Sequence, residues 1–132
     1  MSQSPKLAEA FRQASEQSRK LGVNEQGLPA ELLGQWETRV GNPLASSIND
    51  RAEELQVYVP EAVFDLWFHI ISEATLPLLR GGNEAFILLE QDPHRELIEL
   101  RRILDEDGFG HNITGHLATV DGQTGFGATI RW

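Results

Sequence analysis

The chain has 132 residues, no cysteine and a formal net charge of −9 at pH 7. This length suits one hydrophobic core, so we expect a single domain over residues 1–132. The lack of cysteine excludes disulfides and thiolate chemistry, and it favours a cytoplasmic location. The acidic charge disfavours nucleic acid and membrane lipid as partners, whereas a basic protein would be attracted.

The N-terminal segment predicts a helix that begins at the Ser4-Pro5 cap signal and stops at Gly22. Its apolar residues recur every three or four positions and form a narrow seam. The seam includes Leu7, Phe11 and Leu21. Such a seam packs on its own domain or against a second copy, so residues 1–22 are a candidate peripheral helix and homodimer contact.

A second amphipathic helix is expected from near Pro29 to Gly41-Asn42-Pro43, with Trp36 as the anchor of its packing. Residues 44–54 are ambiguous and carry cap signals for a short helix. Apolar and polar residues then alternate from Leu55 to Val59, which favours a short strand ended by a proline.

The most apolar helix of the chain is predicted to open at Pro60 and to form the centre of the fold. Its expected core residues are Phe64, Trp67, Phe68 and Ile71. Charged residues and Pro77 interrupt the apolar run Val63–Leu79, so we expect no membrane span.

The same helix carries the sharpest chemical pattern, because Glu61, Asp65, His69 and Glu73 follow one another at i, i+4 spacing. A carboxylate one turn from an imidazole can share a metal ion or orient a general base. Asp65, His69 and Glu73 are therefore the candidate catalytic residues, although a plain polar edge on a buried helix is the favoured interpretation. The sequence contains no nucleotide loop or serine-nucleophile motif, so we lean against an enzyme and expect no cofactor.

A buried strand is predicted over Ala85–Leu89, and a last helix follows Asp92-Pro93 and ends at Asp105-Glu106-Asp107-Gly108. The segment from Asp105 to Gly110 resembles the start of an EF-hand calcium loop, which would make Asp105 and Asp107 metal ligands. Phe109 and His116 stand where that family has oxygen ligands, so a helix stop is the preferred interpretation. His69 and His116 are the other metal candidates, and they would have to converge in the fold.

The C-terminal segment is rich in glycine and threonine and predicts a β-hairpin over residues 113–132, with Asp121-Gly122 as its two-residue turn. This turn pairs Ile113 with Ile130, Gly115 with Ala128, Leu117 with Phe126 and Thr119 with Thr124. Because side chains alternate between the two faces of a strand, this pairing places one set of hairpin residues on the buried face and another on the exposed face. The expected buried set is Leu117, Phe126 and Ile130, and the exposed set is Thr114, His116 and Thr129.

Taken together, these elements predict an α+β fold, in which a helix-rich single domain packs on a small, largely antiparallel sheet that ends in a C-terminal β-hairpin. The leading functional hypothesis is a non-enzymatic, acidic protein-interaction domain, of the inhibitor or immunity type, that binds a basic partner surface. The candidate partner-binding residues are Glu84, Glu90, Glu96, Glu99, Asp105, Glu106 and Asp107.

Two alternatives remain open from the sequence. The first is a small hydrolase or lyase, metal-assisted or of the acid/base type, that uses the Asp65/His69/Glu73 ladder. The second is a carrier of an apolar small ligand, with its pocket between the central helix and the sheet. A cleft in front of His69 would favour the enzyme, and an apolar cavity with an entrance would favour the carrier.

Overall fold

A computed structural model describes residues 6–24 and 26–132, with the side chain of Thr114 also left out. The Ser4-Pro5 cap signal and the predicted exposure of Thr114 therefore lie outside the described residues. The α-helices in the described part are α1 (Leu7–Lys20), α2 (Leu33–Trp36), α3 (Asn42–Tyr58), α4 (Glu61–Ala74) and α5 (Leu97–Asp107). The strands there are β1 (Glu84–Leu89), β2 (Gly110–Val120) and β3 (Gln123–Arg131). The predicted α+β fold with a C-terminal hairpin is confirmed.

The three strands form one antiparallel sheet in the order β1-β3-β2. Alternation along β1 turns Ala85, Ile87 and Leu89 toward the helices, where all three are buried. The opposite side of the sheet, which we call the outer face, is open to solvent in the described structure. Its apolar and small residues are Phe86, Leu88, Ala118, Val120, Gly125 and Gly127. Phe86 is 53% exposed there, so the sheet is covered by helices on one side only.

The central helix α4 supplies the middle of the core, and its side chains Trp67, Ile70 and Ile71 have no exposed surface. The prediction that Phe68 is also buried is wrong, since this residue is 43% exposed. At about 100° per residue, Phe68 lies on the flank of the buried stripe, where its ring stacks on Phe64 with centroids 5.9 Å apart.

The chain around α4 is more apolar than the prediction of no membrane span implies. By length and composition alone, the stretch Glu61–Arg80 could cross a membrane, with a mean hydropathy of 1.3. Core helices of globular proteins share that property. Here the stretch comprises α4 and a 3₁₀ turn over Leu76–Arg80, and its residues Trp67, Ile70 and Leu78 have no exposed surface.

The N-terminal helix α1 is part of the core rather than a peripheral element. Leu7 and Phe11 are buried, and Leu21 is partly buried against the same cluster. The Phe11 ring makes edge contacts with the rings of Phe109 and Trp132, each with centroids 5.2 Å apart. A homodimer through this seam would therefore require side chains to leave the core of their own chain.

The second predicted helix does not end at Gly41. A 3₁₀ turn over Ala30–Leu32, then α2, a π-helical turn over Glu37–Gly41 and α3 follow one another without a break. Gly41 has a helical φ of −62°, and a side chain there would lie 2.8 Å from the Trp36 ring, so the glycine makes room for that ring. The following proline lies in the first turn of α3, directly after the π-helical turn.

The predicted strand over Leu55–Val59 is also wrong, because α3 continues through Tyr58. Its buried side chains recur at helical spacing. They are Leu44, Ile48, Ala52 and Leu55. Val57, which the strand prediction placed on the same face as Leu55, is 85% exposed. The three-residue alternation at the end of the helix was accidental.

The hairpin turns at Asp121-Gly122 as predicted, and both residues have positive φ, 50° and 79°. Near this turn the predicted pairs are confirmed, with Leu117 opposite Phe126 and Thr119 opposite Thr124. Farther along, the predicted register is wrong.

A bulge between Ile113 and Leu117 places Ile113 opposite Ala128 and His111 opposite Ile130. Gly115, with φ 73°, allows the bend. Leu117 was expected in the core but is 67% exposed, because it lies on the edge strand beyond the bulge, where the helices do not cover the sheet. Ile130, on the central strand, is fully buried.

Candidate functional site

His69 lies on the solvent side of α4, next to the edge of β1. The buried stripe of α4 contains Val63, Trp67 and Ile70, so the i, i+4 ladder of polar residues is turned outward. The His69 side chain is exposed, and its Nε2 atom lies 3.4 Å from the backbone oxygen of Leu88. His69 therefore faces open depressions rather than the core.

Two depressions meet at His69, Leu89 and Glu90. The first, of about 380 Å³, lies between α4 and the segment that follows β1. The second, of about 550 Å³, follows β1 to the turn of the hairpin. Their charged lining residues are Asp65, Glu73, Glu90, Asp92, Glu96 and Asp121. We call these six carboxylates, with His69 between them, the acidic groove.

The acidic groove has an unbalanced charge. Among the described residues that line it there is no lysine or arginine. Its six carboxylates also form no ion pair with any other part of the described chain. Five of the six are exposed, and Glu96 is half-buried. The groove thus combines a concave shape with an uncompensated negative potential.

A second acidic region is arranged in the opposite way. Here the arginines Arg51 and Arg102 form ion pairs with four carboxylates and offset part of their charge, and we call this region the paired acidic cluster. Its acidic members are Glu54, Glu99, Glu106 and Asp107. The Arg51 guanidinium lies 2.7 Å from Asp107, 3.1 Å from Glu106 and 2.9 Å from Glu54.

Asp107 is the buried end of this cluster, with only 2% of its surface exposed. One carboxylate oxygen accepts a hydrogen bond from Arg51 Nε, and the other accepts one from Trp67 Nε1 at 2.9 Å. Burial raises the pKa of Asp107 from 3.8 to about 6, although the Trp67 hydrogen bond and the Arg51 charge both lower it. Asp107 therefore joins α3, α4 and α5 and does not lie on the surface that the charge pattern predicted.

The residues suggested as metal ligands are not brought together. Helix α5 runs through Asp107, stops at Gly108 in the left-handed conformation, and is followed by β2 from Gly110, so no EF-hand loop is formed. Asp105 instead contacts His111 Nε2 at 2.7 Å. His69 lies beside β1 and His116 lies on β2, which is the opposite edge of the sheet. Within the described residues, no three His, Asp or Glu side chains are close enough to hold a metal ion.

The catalytic candidates are close in sequence but not organised as a catalytic set. In the described structure, no hydrogen bond joins His69 to Asp65 or to Glu73, and the only polar contact of the imidazole is the long one to the backbone oxygen of Leu88. His69 does open onto a cleft, as an enzyme would require. What the first depression adds to the ladder is three more carboxylates, and its described lining residues include no serine, threonine or tyrosine hydroxyl.

Sequence reasoning missed Arg51 and Trp67 as partners of Asp107. One signal was available, since Asp107 follows Ile103 by four residues and so lies on the buried face of α5. A buried tryptophan also needs a hydrogen-bond acceptor for its indole N–H.

The chain matches no protein-family model, no curated protein and no solved structure. Inference about function therefore depends on the geometry of the acidic groove.

Proposed function

We propose that this chain is a non-enzymatic protein-interaction domain whose acidic groove binds a cationic surface or segment of another protein. The observation that carries this proposal is the uncompensated charge of the groove, with six carboxylates and no lysine or arginine among its described lining residues. Such a potential attracts a cationic partner over several ångströms and accelerates association.

The lining of the groove is not purely polar. Leu66 and Leu89 lie among the carboxylates of the first depression, and Phe86 and Leu88 line the second. Lysine and arginine have long apolar stems that pack on such residues while their charged ends reach a carboxylate. Protein interfaces commonly combine an apolar centre with a polar rim in this way. The groove is therefore suited to a basic protein segment better than to a free metal ion.

The specific form that we propose is an inhibitor or immunity-type protein. A small acidic domain can cover a basic surface of its target and block that surface sterically and by charge. The fold is compatible with this use, because Arg51 and Asp107 join three helices without contributing to the lining of the groove.

The two alternatives have less support. An enzyme would need His69 to be oriented by a carboxylate, whereas its ring contacts a backbone oxygen at 3.4 Å. A carrier would need a cavity between α4 and the sheet. In the structure, Trp67, Ile70 and Ile87 are among the side chains that pack in one continuous core there.

The proposal is tested by selecting binders from a display library of random twelve-residue peptides. We expect enriched sequences to carry a net positive charge. Their binding should weaken by on the order of tenfold in the triple variant Glu73→Gln/Glu90→Gln/Asp92→Asn, because three carboxylates of the groove are neutralised.

The matched control is Glu9→Gln/Glu31→Gln/Glu53→Gln, which removes the same charge from residues outside the groove. This control should retain nearly all of the binding. Enrichment of uncharged peptides, or an equal loss of binding in both variants, would contradict the proposal.

A further inference from the structure

The strand β1 has a free edge. In the described structure it pairs only with β3. The backbone oxygen of Asn83, just before β1, accepts a hydrogen bond from Trp132 N on the β3 side, while the oxygen of Leu88 is directed away toward His69. Because backbone direction alternates along a strand, the N–H and C=O groups of Phe86 and Leu88 belong to the free edge. An edge of this kind is a template for another strand.

The outer face next to this edge is apolar, and the β3 residues on it include glycines without side chains. Phe86 and Leu88 project from β1 on that side, where they pair with Thr129 and Gly127 of β3, and the Leu88 side chain also lies close to Gly125. The Phe86 ring lies across Gly127, where an added Cβ atom would be 3.2 Å from the ring. The glycine thus lets the Phe86 ring lie toward β3, and because the ring is still 53% exposed, a side chain of an added strand can contact it.

The inner side of the same edge is negatively charged. Glu73 and His69 of α4 overhang β1, and Glu90 follows its last residue. The described lining of this depression contains no lysine or arginine. A strand added here would thus meet apolar groups on one face and carboxylates on the other.

We propose that the partner is an extended basic segment of another protein that adds to the free edge of β1 as a fourth strand. This inference rests on the proposed function, since it names the way in which the acidic groove binds its cationic partner. The segment alternates basic and apolar residues, because alternate side chains of a strand point to opposite faces. Hydrogen bonds from its backbone replace the long contact between His69 and Leu88, and its basic side chains approach Glu73 and Glu90.

The test uses an acetylated and amidated seven-residue peptide of alternating lysine and valine. Two analogues of the peptide are N-methylated, one at every lysine amide and one at every valine amide. Only one of these sets faces β1 in an added strand. We expect methylation of that set to weaken binding on the order of tenfold or more, and methylation of the other set to change it by less than about twofold.

A second readout is amide hydrogen exchange in the complex. Strand addition should slow exchange at Phe86 and Leu88, whose amides are at the free edge. It should leave Ile87 nearly unchanged, because that amide already faces β3. This measurement uses the wild-type protein, so its result cannot be affected by a substitution that prevents folding.

The control peptide places four lysines before three valines and has the same composition and charge. Equal binding of this control and of both methylated analogues, with no protection at Phe86 and Leu88, would overturn strand addition but leave the cationic groove intact. Failure of every one of these peptides to bind at low salt would contradict both the strand addition and the proposed function.

Discussion

The two acidic regions of this molecule have similar composition and opposite organisation. In the paired acidic cluster, Arg51 and Arg102 form ion pairs with the carboxylates, and the buried member Asp107 connects three helices. In the acidic groove five of the six carboxylates are exposed, and none has an ion-pair partner in the described structure. Carboxylates that are paired within the chain connect its helices, whereas carboxylates without a basic partner are available to another molecule. A count of acidic residues along the sequence cannot separate these two uses.

The largest expected effect concerns the buried carboxylate of the paired cluster. Replacing Asp107 by alanine leaves the Arg51 charge and the Trp67 indole N–H without their partner in a largely buried environment. We expect the free energy of unfolding to fall by about 3–5 kcal/mol in urea denaturation. The matched groove variant Glu90→Ala should change it by less than about 0.5 kcal/mol. A similar loss of unfolding free energy in both variants would contradict the proposed difference between the paired acidic cluster and the acidic groove.

The second prediction uses the pKa of Asp107, which burial raises to about 6 in the folded protein from 3.8. The folded state binds this proton more tightly than the unfolded state does. The resulting stabilisation is fully present below about pH 4 and is lost as the pH rises through about 6. The contribution should be on the order of 1–3 kcal/mol.

This pH dependence is measured as the difference in unfolding free energy between wild type and Asp107→Asn at several pH values. Asparagine cannot titrate, yet its side-chain oxygen can still accept the Trp67 hydrogen bond. Wild type should lose stability relative to this variant between about pH 4 and about pH 6. A difference that stays constant over this interval would show that Asp107 does not titrate there.

The smallest expected effect concerns single carboxylates: neutralising one in the paired acidic cluster and neutralising one in the acidic groove should change the free energy of unfolding in opposite directions. Glu106→Gln removes an ion pair with Arg51 and should destabilise by about 0.3–1 kcal/mol. Glu90→Gln relieves repulsion within the acidic groove and should be neutral or slightly stabilising at low salt, by less than about 0.5 kcal/mol. Both effects should shrink at high salt, because exposed charges are screened. Thermal unfolding at two ionic strengths compares them, and the same sign for both variants would contradict the proposed organisation.

Local sequence chemistry predicted the parts of the fold that local interactions determine. The Asp121-Gly122 turn and the strand near Ala85–Leu89 are of this kind, since turn geometry and short buried runs depend on adjacent residues. The prediction of a strand over Leu55–Val59 was wrong because it relied on a short alternation of apolar residues. The helical spacing of the apolar residues before it extends over a longer segment and is the pattern that the fold follows. The bulge at Gly115 was missed because only the packed sheet shows where β2 bends.

The candidate site was predictable in part. The i, i+4 ladder correctly placed Asp65, His69 and Glu73 along the outer side of α4. The ladder did not indicate that Glu90 and Asp92, which follow β1, complete a groove with it. Nor could sequence alone pair Arg51 with Asp107, which are 56 residues apart. Both facts depend on tertiary packing.

The central claim is that the acidic groove, and not the paired acidic cluster, is the surface that binds a cationic partner. The most direct test is a nuclear magnetic resonance titration with hepta-lysine at about 0.02 M and about 0.3 M salt, in which backbone amide shifts map the bound surface. We expect the largest shifts around Asp65, His69, Glu90 and Asp92, and we expect them to diminish at the higher salt concentration. Shifts that are largest at Glu99 and Glu106, or that spread evenly over the protein, would contradict the claim.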